Sequence, residues 1–383
     1  MKKILLMSVD FLEEPFLEKS LSFISNMVDL GNPVVLYSRD EERLKGFDFS
    51  DKKHIFLATR SKVKDLVAEK KNEYFVVVGK KDKDFELAVN NKLLFIVPSW
   101  LGHIEEKANT YGIQVKTYNQ MKLFIETINN QNTWYSQFKL DENTYYFSLS
   151  DAKSRVNSRS DEERKIIEIF NSILKKGRVS YYEIYKYHFL SCISNNNELF
   201  SDINHWCIFP SSSGALENNE MFKFKEQVRY IMKGQPLRKE SYRQYKNLLY
   251  RHTPTSKSHF DSYEKRIRIG AERHFETVCL NPAYKGKLRG SNVCVFDDYL
   301  THGNSFECAR NLLKKEGVNK IIFVTLGTFG YNYQVQDYEF TGDVYSKKYD
   351  FNLKRRKIIH SSDFIINKDA KEEVENLHSI FNV

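Results

Sequence analysis

The sequence contains no run of eighteen apolar residues, no Cys-x-x-Cys pair and no internal repeat or low-complexity tract. The first absence excludes a membrane-spanning helix. The apolar run in MKKILLMSVDF is too short for a secretory signal and closes on an aspartate, so a cytoplasmic protein is expected. Five cysteines, Cys192, Cys207, Cys279, Cys294 and Cys308, are scattered along the chain. They read as reduced structural thiols rather than a disulfide framework or a zinc site.

What is present is an ordinary globular balance, 41% hydrophobic and 28% charged residues, with 28 Phe and 23 Tyr to fill large aromatic cores. A chain of 383 residues exceeds one typical domain, and two are expected. The formal charge of +9 suits nucleic acid or a polyanionic small substrate. The compact run Lys354-Arg355-Arg356-Lys357 is the candidate nucleic-acid contact, with a solvated face as the plain alternative.

Residues 4–9, 33–37, 74–78 and 93–97 read as strands with helical material between, among them a helix over 17–28. This alternation predicts a parallel α/β domain over 1–125. Residues 129–149 are polar and aromatic, as in short strands or a docking segment, and with a charged, serine-rich stretch at 151–160 they form a connection over 126–160. Ser160 with Glu163 makes a capping box for a helix closed by Gly177, and a second domain spans 161–383.

The stretch Ser291–Ser305, SNVCVFDDYLTHGNS, carries the chemistry. Residues 292–296 read as a buried strand, with Asp297 and Asp298 at its carboxyl end. Thr301, His302, Gly303, Asn304 and Ser305 then lead into a helix whose face carries Ala309, Leu312 and Leu313. A hydroxyl-rich turn at a helix N-terminus suits a phosphate monoester, because backbone N–H groups and the helix dipole converge there. The adjacent carboxylates suit the hydroxyls of a ribose. Upstream, a strand over 205–209 ends in Pro210-Ser211-Ser212-Ser213-Gly214, a second anion-binding turn. Between the two lie the cations Arg251, Lys257, Lys265, Arg266, Arg268 and Arg273.

The 291–305 segment resembles the phosphoribosyl pyrophosphate (PRPP) motif of type I phosphoribosyltransferases, with Asp297, Asp298, Thr301, Gly303 and Ser305 on matching positions and His302 and Asn304 as substitutions. Arg251, Thr253, Arg266, Phe275 and the turn at 285–290 follow the order of the competence-associated, ComF-type members. The resemblance implies a second Rossmann-like, parallel-sheet domain. It implies transfer of ribose 5-phosphate from PRPP to a small-molecule acceptor, with Mg2+ and release of pyrophosphate. Asp297, Asp298, Arg251 and Arg266 would be catalytic. Thr301, His302, Gly303, Asn304 and Ser305 would hold the 5-phosphate, and Ser211, Ser212, Ser213 and Gly214 the pyrophosphate. The protein would supply no metal ligand in this domain. Tyr331 and Tyr333 offer faces to a planar acceptor, or pack the hood.

In the first domain, Asp10, Ser38, Lys62 or Lys64, and Asp82 or Asp84 are spaced as in haloacid dehalogenase-like hydrolases, which hold magnesium there. Ser8 stands at the nucleophile position, and a serine without an adjacent base neither attacks phosphorus nor ligates metal well. A degenerate domain that binds or regulates is expected, with no phosphatase activity. Such domain pairs resemble components of bacterial stress or phage-defence operons, which implies a protein partner from the same operon. The competing reading is a non-catalytic PRPP or nucleotide sensor.

Overall fold

The structure, a computed structural model, describes residues 2–128, 133–152, 179–195, 197–216, 219–233, 247–255 and 263–381. The side chains of 179–181, 263, 265 and 266 lie outside that description. So do the capped helix expected over 160–177, the linker residues 153–160 and Lys257.

Short runs rich in Val, Ile, Leu and Phe form β1 (Ile4–Ser8), β2 (Val34–Ser38), β3 (Ile55–Thr59), β4 (Phe75–Val78), β5 (Leu94–Pro98) and β6 (Ile113–Val115). They pair in parallel in the order β3-β2-β1-β4-β5-β6, the doubly wound order. Between and after them run α1 (Leu17–Asp29), α2 (Glu41–Lys45), α3 (Arg60–Glu69), α4 (Asp82–Asn90), α5 (Glu106–Tyr111) and α6 (Tyr118–Thr127). The mixed α/β class and a Rossmann-like first sheet follow. Sequence patterning identifies four of the six strands. It misses β3, an edge strand with Phe56 exposed, and β6, which has three residues. Strand β6, Ile-Gln-Val, has no continuous apolar run, and β3, Ile-Phe-Leu-Ala-Thr, has a short one of which only Ile55 is buried.

The second sheet contains β7 (Ser136–Asp141), β8 (Thr144–Asp151), β9 (His205–Ile208), β12 (Asn292–Leu300), β13 (Lys320–Thr328) and β16 (Ile365–Ile366), in the order β16-β7-β8-β13-β12-β9. It is parallel from β8 to β9 and antiparallel at β16-β7-β8. Of the two readings of 129–149 it is the short strands that are found, and most of 136–151 belongs to this sheet. Phe147 and Leu149 enter one core and Tyr146 the other, so this aromatic text is a strand covered on both faces. Two hairpin-like pairs complete the strands, β10 (Leu249–Arg251) with β11 (Val278–Leu280) and β14 (Tyr333–Thr341) with β15 (Asp350–Ile359).

Helices α7 (Val179–Ile193), α8 (Glu220–Lys233), α9 (Tyr263–Ile269), α10 (Glu272–Phe275), α11 (Asn304–Lys315) and α12 (Lys368–Phe381) follow in the chain. Alternation along β12 divides its side chains between two cores. Cys294 and Phe296 join α7, α8, α12 and the first sheet in one core. Val293 and Val295 face α11 and β14 in the other. The two sheets thus share a core. Helix α12 is fastened to α7 by a buried pair, His188 Nδ1 to Glu373 Oε1 at 2.8 Å, and Ser191 Oγ donates to the same oxygen at 3.0 Å. All five cysteines are free and buried. Among the described residues, no helix is long and apolar enough to cross a membrane.

Candidate ribose-phosphate site

Strand β12 runs four residues further than its apolar text predicts. Its register with β13 continues through Asp297 opposite Thr325 to Leu300 opposite Thr328, so the acidic pair lies inside the strand rather than after it. Backbone pairing with a buried neighbour extends the strand where polarity alone would end it. The chain then turns through Thr301 and His302 to Gly303, which has φ +85° and caps α11. The turn is pinned from outside: Phe329 N–H donates to the Leu300 carbonyl and Gln334 N–H to the His302 carbonyl, both at 3.1 Å.

The result is an open concavity of about 590 Å³. Asp297 and the whole Thr301–Ser305 turn line one wall, and Arg273 and His274 of α10 line the other. The five residues expected to cradle a phosphate are therefore brought together at the start of a twelve-residue helix. His302 is buried and stacks on Tyr331 at 5.2 Å between ring centres.

Burial first, and the Asp298 carboxylate second, push the Asp297 carboxyl well above the usual carboxylate range. Asp298 moves the same way by desolvation, but it is exposed and does not line the concavity, so the shift is carried mainly by Asp297. A carboxyl raised in the folded state makes the native protein bind its proton more tightly, and stability falls as pH rises from the unfolded value through the raised one. Asp297→Asn should therefore raise the melting temperature at neutral pH, by ~2 °C for a relief of ~1 kcal/mol in a chain of this size. Scanning calorimetry should show that gain vanish near about pH 4, where both proteins carry a neutral group. A lower melting temperature at neutral pH would disprove the repulsion.

On the opposite wall, burial first, then Arg251 and Arg273, push the His274 imidazole down to about 3. It is neutral at physiological pH. Its ring edge meets Phe209 at 5.1 Å, at the base of the serine loop.

Ser211, Ser212, Ser213 and Gly214 follow β9, which pairs with β12 up to Ile208 opposite Phe296, so both loops leave the same edge of the sheet. The serine loop is a closed turn: Gly214 N–H donates to the Ser211 carbonyl at 3.0 Å and the Ser211 and Ser213 hydroxyls are 3.1 Å apart. The four residues do not line the concavity. Arg251 does not line it either. Its buried guanidinium donates to the Ser211 carbonyl at 2.7 Å, the Thr277 hydroxyl at 2.6 Å and the Pro210 carbonyl at 3.3 Å. A desolvated guanidinium must satisfy its N–H groups internally, so Arg251 shapes the loop and Arg273 takes the ligand-facing place expected for it. The Arg266 side chain lies outside the described residues.

The first-domain carboxylates have partners within the protein. Asp10 is buried and bridged by Arg43 at 3.0 Å and Lys81 at 2.7 Å. Asp84 accepts from the Tyr37 hydroxyl at 2.9 Å and the Lys81 N–H at 3.1 Å. Asp82 accepts from the N–H groups of Lys107 and Ala108 at the start of α5. Among the described residues, no group of three carboxylate, His or Cys side chains is placed to hold a metal ion. The carboxylates expected to hold magnesium, Asp10 with Asp82 or Asp84, are thus each engaged within the protein, Asp10 by two cations. Ser38 accepts from the Asp40 N–H and serves its own turn.

Two further expectations are redirected. Tyr333 is buried under Gly303 and donates to Glu307 at 2.8 Å, so it cannot stack on a ligand, whereas Tyr331 is exposed. In the basic run, Lys354 pairs with Glu339 at 2.6 Å and Arg355 with Asp337 at 2.7 Å, while Arg356 donates to two backbone carbonyls. Three of its four cations are thus engaged within the protein.

Sequence reasoning names Arg273 only as one cation of six, and passes over His274. As one of three histidines in the basic segment 248–275, it has no periodicity or spacing to mark it. No family model, curated protein or solved structure matches the chain.

Proposed function

We propose that the protein is a phosphoribosyltransferase that uses PRPP and Mg2+ to place ribose 5-phosphate on a small-molecule acceptor. The observation that carries this reading is the juxtaposition of Asp297 with the Thr301–Ser305 turn in one concavity, opposite Arg273. The turn and the helix N-terminus hold the 5-phosphate. Asp297 accepts hydrogen bonds from the ribose hydroxyls, donors that relieve its repulsion from Asp298. Arg273 and the neutral His274 face the pyrophosphate. As the C1–O bond breaks, its electron pair leaves with pyrophosphate, and the acceptor forms the new bond at C1. Magnesium, when bound with the ligand, neutralises pyrophosphate oxygens. Fixed positive charge on the leaving-group wall stabilises that departure more than the ground state.

Calorimetric titration of PRPP with magnesium tests this reading. Wild type should bind in the micromolar range, and Asp297→Asn/Asp298→Asn should bind about 100-fold more weakly, close to 2.7 kcal/mol. No binding to the wild type overturns the proposal. Pyrophosphate release across an acceptor screen then separates a transferase from a sensor that binds without turnover.

A further inference from the structure

The β14–β15 hairpin touches both walls of the concavity. Along α11, the Gln336 N–H donates to Glu307 at 2.7 Å, its carbonyl accepts from Arg310 at 3.0 Å and Asn311 at 2.7 Å, and the Tyr338 N–H donates to Asn311 at 2.8 Å. Against the other wall, Arg356 donates to the carbonyls of Ile267 at 3.1 Å and Arg268 at 2.8 Å, at the end of α9. Phe275 of α10 packs among the rings of Tyr338, Phe340 and Phe351, with centres 4.8 to 5.1 Å apart.

The Gln336 side chain, fully buried, joins the two walls directly. Its Nε2 donates to Asn304 Oδ1 at 3.1 Å, and its Oε1 accepts from the Ala271 N–H at 3.0 Å. The room it occupies exists because residue 270 is glycine. A Cβ at Gly270 would overlap the carboxamide, and its φ of +63° disfavours any side chain. Asn304 belongs to the cradle, and Ala271 lies two residues before Arg273.

We propose that Gln336 and Arg356 are positioning residues that set the gap between the 301–305 cradle and the 273–274 wall. The site thereby selects a ligand that is anionic at both ends, a phosphorylated sugar bearing a pyrophosphate, over a simple sugar monophosphate. This rests on the phosphoribosyl reading of the site. A ligand that bridges both walls gains from both anchors only when their separation matches its length, whereas a monophosphate engages the cradle alone.

Titrations of PRPP and of ribose 5-phosphate, each with magnesium, into Gln336→Met, Arg356→Met and Lys354→Met distinguish this from fold damage and from charge. Both positioning variants should weaken PRPP about tenfold while leaving ribose 5-phosphate within about twofold of wild type. Lys354→Met, which removes the same charge from the same strand, should change neither. Arg356→Lys, which keeps a donor for the two carbonyls, should recover most of the loss. Equal weakening of both ligands, equal effects of Arg356→Met and Lys354→Met, or unchanged PRPP affinity would each overturn the positioning role alone. A wild type that binds neither ligand overturns the phosphoribosyl reading, and this inference with it.

Discussion

Gly303→Ala is expected to abolish PRPP binding and to destabilise the protein by roughly 2–5 kcal/mol, the sum of a left-handed backbone penalty and overpacking. Gly303 has φ +85°, a conformation that L side chains rarely adopt. A Cβ there would also fall far inside contact distance of the Tyr333 ring. That ring cannot retreat, because it is fully buried and its hydroxyl is tied to Glu307. Relief must come from the turn itself, and the turn carries the cradle. Urea unfolding measures the stability loss, and Gly303→Ala/Tyr333→Ala should remove the overlap while keeping the backbone penalty. A single variant that unfolds within about 1 kcal/mol of wild type would show that the turn yields at small cost.

Glu373→Gln is expected to cost roughly 3–5 kcal/mol near neutral pH, the usual loss when one partner of a buried ion pair is removed. Burial alone would push the His188 ring down, but the Cys192 sulfur and the Glu373 carboxylate reverse this and raise it to about 10. Burial also pushes the Cys192 thiol up, against the pull of the His188 ring beside it. The folded value lies above the unfolded histidine range near 6.5. The contribution is therefore complete below about pH 6.5 and is lost as pH rises through about 10, by up to about 1.4 kcal/mol per unit. Unfolding series at several pH values should show the variant and wild type converging on the alkaline side. A difference that is constant with pH would mean that the pair contributes packing and not charge. The pair joins α7 to α12 within the core shared by both sheets, so its loss should be felt by the whole chain.

Local patterns carried much of the fold. The strand beginning at Asn292 and the helix bearing Ala309, Leu312 and Leu313 were legible because β12 and α11 bury continuous or periodic apolar faces. Four strands of the first sheet were legible for the same reason. Edge strand β3 and the short β6 were not: the apolar run of β3 is only four residues long and β6 is three residues broken by Gln114. Strands β7 and β8 were legible as short strands or a docking segment, but nothing local says that Tyr146 and Phe147 will be covered on opposite sides.

The site divides in the same way. The sequence by itself determined the cradle: a strand, an acidic pair, a hydroxyl-rich turn with glycine and a helix start are contiguous, so their spacing survives any tertiary arrangement. The opposite wall was decided only by the tertiary structure. Arg251 and Arg273 are both arginines in one basic segment, and no local feature says that burial will commit Arg251 to the serine loop and leave Arg273 on the concavity. Likewise Asp10 with Asp82 and Asp84 have the spacing of a metal set, but Arg43, from another segment, and Lys81, the chain neighbour of Asp82, both pair with Asp10 once the chain is folded. Gln336 is an unremarkable residue in its strand until folding places Asn304 on one side of it and Ala271 on the other. Spacing along the chain reports which groups can act together, whereas partner competition and burial, which depend on residues far away in sequence, decide which of them reach the ligand.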